Sequence, residues 1–326
     1  MTEALTIPPL HCPAPLRDDR SLADEVDDRL VAWAEEIGAY GGHLGRLRDC
    51  EFGRLAMLTH PDCDDPDRLL TAAQCALAEW SIDDFYQDGD ASDADPRRIG
   101  LNLTTAHAVL DPIHLPEPYQ SQFEQVVRKD TVLVALRSAF DRLAGHGTWA
   151  QVFRLRYELT MMFVAYSQEA EWRISGRIPP VWEFLMHRQE NSFFPCMVIT
   201  DAVGGYEVPF SEYAQPQVRR LCVLAGTASV LVNDLYSMEK ETRTHGFDFC
   251  LPKVIEAEEG CTLQEAVDRT AHHHDQLMRT FEAEAATLAD SASPQLRRFL
   301  DGVWAWTAGG KEWHATSRRY HGPASE

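Results

Sequence analysis

Two short acidic stretches carry the residue types that can hold a hard metal ion. The first is Asp83-Asp84-Phe85-Tyr86-Gln87-Asp88-Gly89-Asp90, at the end of an apolar run that reads as a helix. Mg2+ requires oxygen ligands such as carboxylates, takes only a few from the protein and keeps several waters. Asp84 and Asp88 are four apart and share a helix face, with Asp90 an alternative third acid. The second stretch is Asn233-Asp234-Leu235-Tyr236-Ser237-Met238-Glu239-Lys240-Glu241. Asn233, Ser237 and Glu241 recur every fourth residue, so at about 100° per residue they stay on one stripe. An amide oxygen, a hydroxyl and a carboxylate in a row form an oxygen-ligand set. A helix end emerging into water would explain the acids but not the Asn and Ser on the stripe of the Glu. Asp64-Asp65, ahead of Pro66, reads instead as a helix cap.

The elements that must carry these groups read as helices throughout. Leu22, Val26, Leu30, Trp33 and Ile37 form one apolar stripe, and Asp65-Pro66 introduces a long apolar run that ends at the first acidic stretch. Further helices are expected from Pro118 to Leu143, Trp149 to Ile174, Val181 to Thr200, Tyr213 to Lys240, Leu263 to Leu288 and Gln295 to Arg318. Gly, Pro and Asp clusters separate them, and no alternating strand pattern of useful length occurs. Residues 221–235 are apolar nearly all round, as an inner helix would be. The expected fold class is all-α: residues 1–16 form an extended Pro-rich arm, and 17–326 form one domain, a helical bundle around a deep apolar cavity. The GxGxxG and GxxxxGK[ST] phosphate cradles are absent.

Composition sets the setting of that cavity. The chain has 326 residues, 44% hydrophobic and 25% charged, which suits a soluble globular protein with a large core. Its 51 acidic against 30 basic residues leave a formal charge of −21, which repels a phosphate backbone and argues against nucleic acid as a partner. An anionic ligand would need local neutralisation, for which metal ions held by carboxylates are suited. Eight cysteines show no zinc or disulfide spacing and read as small buried apolar groups. No stretch reads as a membrane span, and MTEALTIPPLHCPAP shows neither a basic start nor an apolar core, so a cytoplasmic protein is expected. The run His272-His273-His274 reads as a solvated surface, because consecutive helix residues point about 100° apart. Glu312 and His314 read as structural.

Taken together, the two stretches resemble the metal motifs of the class I terpene synthases. The resemblance implies that Asp83, Asp84 and Asp88 face Asn233, Ser237 and Glu241 across three Mg2+ ions bound over a prenyl diphosphate. Asp83 would be the main ligand on its side. Gln87 stands where the simplest family pattern has its third acid. Arg188 occupies the place of a diphosphate-sensing arginine, and Arg319-Tyr320 looks like a terminal Arg-Tyr pair; with Lys240 these would contact the diphosphate. Asn191 and Ser192 depart from the Asp and Gly usual after that arginine. The strings FVAYSQEAEWRISGRIPPVWEFLMHRQENSFFPCMV, DAVGGYEVP and GGKEWHATSRRY are similar to the bacterial 2-methylisoborneol synthases and their 2-methylenebornane-forming relatives.

What this implies is a Mg2+-dependent cyclase of an allylic diphosphate, with 2-methylgeranyl diphosphate as substrate and a homodimer as its assembly. Aromatic faces would shield and stabilise the carbocation. The candidates are Trp80, Phe85, Phe193, Phe194, Trp306 and Trp313, with Phe193 and Phe194 following Arg188 on one helix and Trp306, Trp313 and Tyr320 sharing another face. Geranyl or farnesyl diphosphate remain alternative substrates, and water capture or proton loss remain alternative endings. A chain-elongating prenyltransferase would carry a second DDxxD in place of Asn233, Ser237 and Glu241. A non-catalytic helical ligand-binding protein would have no need of both motifs.

Overall fold

The computed structural model describes residues 5–87, 95–245 and 249–321, and of 41–42, 239–245 and 321 the backbone alone. Asp88, Asp90 and the side chains of Lys240 and Glu241 therefore lie outside the described residues. Among the described residues there are helices and turns and no strand. In chain order the α-helices are α1 (Arg20–Ile37), α2 (Leu44–Asp49), α3 (Phe52–Thr59), α4 (Pro66–Ile82), α5 (Ile99–Leu110) and α6 (Tyr119–Lys129). They continue with α7 (Thr131–His146), α8 (Trp149–Ser175), α9 (Val181–Glu190), α10 (Phe194–Val198), α11 (Thr200–Val203) and α12 (Phe210–Tyr213). The last are α13 (Pro216–His245), α14 (Leu251–Glu259), α15 (Leu263–Ala289), α16 (Pro294–Thr316) and α17 (Arg318–His321).

Two long interior helices each carry an acidic stretch toward the C-terminal end. In α4, Asp65 caps the start by accepting from Asp67 N, and every residue from Leu69 to Ile82 is buried. In α13, the segment Pro216–Met238 is long and apolar enough to cross a membrane by composition, which corrects the expectation that no stretch came close. Its most apolar window is 83% buried, so packing against other helices accounts for its hydropathy. Helices α9, α10, α15 and α16 pack on α13, and α1, α3 and α7 pack on α4. The cysteines are all free, six of them buried. His274 is not on the surface: it is 1% exposed and its Nδ1 lies 3.1 Å from Asp275 Oδ1.

Local chemistry breaks the longer expected helices. Asp130 ends the reach of α6 and caps α7 through Val132 N and Leu133 N, splitting 118–143. The run 181–200 breaks after Glu190, because Pro195 sits in the first turn of α10 and Ser192 Oγ accepts from Phe194 N. Helix α16 stops at Thr316, where Ser317 turns to an extended backbone, so Tyr320 lies on the separate turn α17. The arm is extended and tied down. Thr6 N donates to Gln264 Oε1, His11 N donates to Asp275 Oδ1, and Leu5, Ile7 and Leu10 pack on the cluster of Leu235, Met238 and Cys250.

The buried helix α3 shows two constraints on how these layers meet. Its N-cap residue Glu51 has a left-handed backbone and no capping side chain. Asp27 of α1 supplies the cap instead: Gly53 N donates to its Oδ1 (2.7 Å) and Arg54 N to its Oδ2 (3.3 Å). At the other end, α16 crosses so closely that a Cβ on Gly309 would lie 2.4 Å from Leu58 O and 2.9 Å from Thr59 N. These are backbone atoms of a buried helix and cannot step aside. We expect Gly309→Ala to lower stability by about 1–3 kcal/mol, the usual cost of overpacking, read as a fall in Tm; an unchanged Tm would mean that the crossing is loose.

Burial pushes the Asp27 carboxyl up to about 7 from its ordinary 3.8, against the pull of the two backbone N–H groups. Between about pH 4 and 7 the unfolded chain is ionised at this residue while the folded chain is protonated. The unfolded state then binds fewer protons, so stability falls as pH rises through that window. Asp27→Asn removes the titration. Its stability relative to the parent should rise by on the order of 2–4 kcal/mol between pH 4 and 8, measured by urea denaturation at each pH; a constant difference would refute the shift.

Candidate active site

The end of α4 and the middle of α13 face one open-mouthed cavity. Helix α4 contributes Glu79 and Trp80 to the wall, the turn after it contributes Asp83, and α13 contributes Val230 and Asn233. Past Ile82 the chain widens into one π-helical turn, Asp83–Gln87. This turn separates the neighbouring acids. Asp83 lines the cavity, and its carboxyl is pushed up by burial and then by the charges of Asp84 and Glu169. Asp84 is 3% exposed and committed elsewhere: Arg319 donates to both its oxygens (2.7 and 3.3 Å), and Tyr40 Oη donates to its Oδ2 (3.2 Å). That paired contact ties α17 to the acidic turn.

On α13 a hydrogen-bond chain sets the orientation of Asn233. His314 Nδ1 lies 2.7 Å from Gly310 O, so it carries the hydrogen and donates, which leaves Nε2 as an acceptor. Burial depresses the His314 imidazolium to about 4 and keeps the ring neutral. Asn233 Nδ2 then donates to His314 Nε2 (3.2 Å) and to Tyr320 Oη (3.1 Å). Both amide hydrogens are used, and Oδ1 is the atom left for the cavity. One turn on, Ser237 is 1% exposed and its Oγ has no hydrogen-bond partner among the described residues. Between them, Asp234 is fully buried and accepts from Arg188 Nη2 and Leu251 N.

Arg188, from the end of α9, and Arg319 therefore reach the same lip, each against a buried carboxylate. A third such acid is Glu169 of α8. Burial works to raise its carboxyl, but Arg173 and His187 outweigh it and hold the group well below the usual range. Deeper in, Glu79 is 6% exposed; Cys196 Sγ donates to its Oε2 (2.9 Å), and its Oε1 has no partner among the described residues. Leaving such an atom unpaired costs about 1–3 kcal/mol. Burial pushes this carboxyl up to about 8, so it is neutral at pH 7.

The aromatic candidates divide. Trp80 and Phe193 line the cavity and stack on each other (5.0 Å, 13°). Trp306 stands behind Phe193 (5.5 Å), and Trp313 stands behind Trp80 (5.8 Å) with its Nε1 donating to Cys50 O. Both support the wall without being among its lining residues. Phe194 is turned away beneath Arg219 (4.5 Å), because it begins α10 while Phe193 sits in the break. Phe85 meets Tyr40 edge-on (5.7 Å), carried round by the π turn. Met162, Tyr166, Glu169, Phe249 and Glu79 line the cavity without having been singled out. Glu79 stands four residues before Asp83, and Tyr166 and Glu169 are three apart on α8, so a search for polar groups at helical spacing could have found them.

The oxygens on the cavity wall, the Asp83 carboxylate and the Asn233 amide, are of the kind that suits Mg2+ rather than a softer ion. Among the described residues no three His, Cys, Asp or Glu side chains form a metal cluster.

Known proteins place this arrangement. The family profile described as terpene synthase family 2, C-terminal metal binding, matches residues 74–280, which include the acidic turn, Arg188 and the α13 stripe. The 2-methylisoborneol synthase of Saccharopolyspora erythraea is 35% identical over 314 residues, 95% of this chain and 89% of the relative. That of Streptomyces griseus is 37% identical across 97% of this chain and 72% of the relative. The crystal structure of the Streptomyces coelicolor 2-methylisoborneol synthase with Mg2+ and 2-fluoroneryl diphosphate matches with a TM-score of 0.89 at 35% identity, over 97% of this chain and 96% of that one. The complex of that enzyme with Mg2+ and geranyl-S-thiolodiphosphate gives 0.84 at 34% identity, over 98% and 97%. With a profile match over more than half its length and relatives aligned nearly end to end, the chain belongs to the terpene synthase family.

Proposed function

We propose that the chain is a Mg2+-dependent class I cyclase that ionises 2-methylgeranyl diphosphate and closes it to a methylated bornane-type monoterpenoid. The observation that carries the reading is that Asn233, its amide hydrogens engaged and Oδ1 left over, lines one cavity with Asp83, Arg188 and Arg319, with the unpartnered Ser237 Oγ one turn further along α13. Support for the substrate comes from relatives named 2-methylisoborneol synthase and from a relative solved with Mg2+ and prenyl diphosphate analogues.

In this reading Asp83 and Asp88 serve one side of a three-ion cluster, and Asn233, Ser237 and Glu241 the other. Bound there, Mg2+ supplies Lewis acidity that makes diphosphate a good leaving group. Arg188, Arg319, Lys240 and Tyr320 bind its oxygens, the two arginines through planar forks. Asp84 holds Arg319 in place, and Asp234 holds Arg188. Trp80 and Phe193 keep water from the hydrocarbon and offer ring faces to the positive charge. His314 keeps the Asn233 amide oxygen aimed at the cavity. The family likeness carries a homodimer with it, which sedimentation would test.

Excess chelator should abolish turnover and added Mg2+ restore it; full activity without divalent cations would sink the mechanism. Ser237→Ala and Asn233→Ala should each lower kcat/KM by about tenfold or more with Tm within a few degrees of the parent. Near-parental rates in both would reduce the stripe to a helix face. In competition, 2-methylgeranyl diphosphate should be preferred over geranyl diphosphate by about 1–3 kcal/mol, the worth of one methyl in an apolar pocket, and both over farnesyl diphosphate. Gas chromatography of the volatiles reads this directly, and mainly C15 products would refute the substrate.

A further inference from the structure

We infer that Glu79 holds the water molecule that ends the reaction, and so sets the ratio of alcohol to alkene among the products. The inference deepens the cyclase reading and rests on it.

Glu79 lies one helical turn, about 6 Å, inward from Asp83 along α4. It lines the same cavity but belongs to neither the metal stretches nor the diphosphate lip. Trp80, Met162, Phe193 and Val230 line the same cavity, so Glu79 puts a polar group on a wall that also offers apolar side chains. One oxygen is anchored by the thiol of Cys196 on α10; the other, Oε1, is buried and has no partner among the described residues. Buried polar atoms of this kind are satisfied in folded proteins by ordered water. Because burial keeps the carboxyl protonated at neutral pH, it does not compete with Asp83 for cations, nor does it trap the carbocation as an ester.

The chemistry balances without any added reagent. The water accepts the hydrogen that protonated Glu79 carries on Oε1 and turns its other lone pair toward the cyclised carbocation. Its oxygen forms the new C–O bond. The resulting oxonium loses its proton to an oxygen of the departed diphosphate, the strongest base left in the closed site, and the neutral alcohol remains. Without a held water, the same cation loses a proton from carbon and ends as an alkene.

The test compares the parent with Glu79→Gln and Glu79→Leu, each incubated with Mg2+ and 2-methylgeranyl, geranyl or farnesyl diphosphate and analysed by gas chromatography. Glutamine keeps an oxygen for the Cys196 thiol and an NH2 donor in place of the Oε1 hydroxyl, so its alcohol-to-alkene ratio should stay within about twofold of the parent. Leucine removes the donor, and the ratio should fall by about tenfold or more. Total turnover reads packing and is scored separately, because a merely structural Glu79 would change the amount of product and not its division. Glu79→Met provides the same readout if the leucine variant fails to fold. Cyclic products whose alcohol share ignores residue 79, or a parent that yields only alkenes, overturn this inference alone. No cyclic product from any of the three diphosphates overturns the cyclase reading, and this inference with it.

Discussion

Burying negative charge beside the cavity is the constraint on which this fold depends. Asp84, Asp234 and Glu169 are each less than one-tenth exposed, and each stands against an arginine. A lone carboxylate there would be too costly to stay ionised. The pairs convert that cost into position. Arg319 draws α17 onto the π turn after α4, and Arg188 draws the end of α9 onto α13. Four segments distant in sequence are pinned around one opening, and the guanidinium groups remain at the lip, where a polyanion would meet them. Removing one partner of such a pair typically costs 3–5 kcal/mol, so the architecture and the placement of the two arginines are held by the same contacts.

Much of this was legible in the residues. The fourfold spacing put Asn233 and Ser237 on one helix, where Asn233 lines the cavity and Ser237 lies buried one turn on, and Arg188, Arg319 and Tyr320 line that same cavity. Asp83 and Asp84 are identical in type and adjacent, yet only the π turn assigns them different partners. Periodicity assumes a regular helix and does not register a widened turn. The same assumption joined Phe193 to Phe194, although Pro195 forces a break between them, and joined Tyr320 to the face of Trp313 across the end of α16.

The aromatic wall was less legible because burial and function select the same residues. Trp80, Phe193, Trp306 and Trp313 form one contiguous ring group in which two rings line the space and two hold them. Nothing in residue type separates the layers; the backbone break that swings Phe193 inward does. Glu79 and Glu169 escaped notice for the opposite reason, since single acids inside apolar helices resemble ordinary surface charges until the neighbouring helices cover them.

The near-uniform apolarity of α13 has a consequence for biogenesis. Two of the helices that cover it, α15 and α16, follow it in the chain. As the nascent polypeptide leaves the ribosome, a segment with the length and hydropathy of a membrane span emerges before those partners exist. It must be screened by the earlier helices α9 and α10 or by a chaperone, or else associate with other exposed surfaces. The yield of folded protein is therefore governed by the delay between synthesis of α13 and docking of α16. Slower translation past residue 245, or scarce chaperone, would divert chains to aggregates even though the finished bundle is stable.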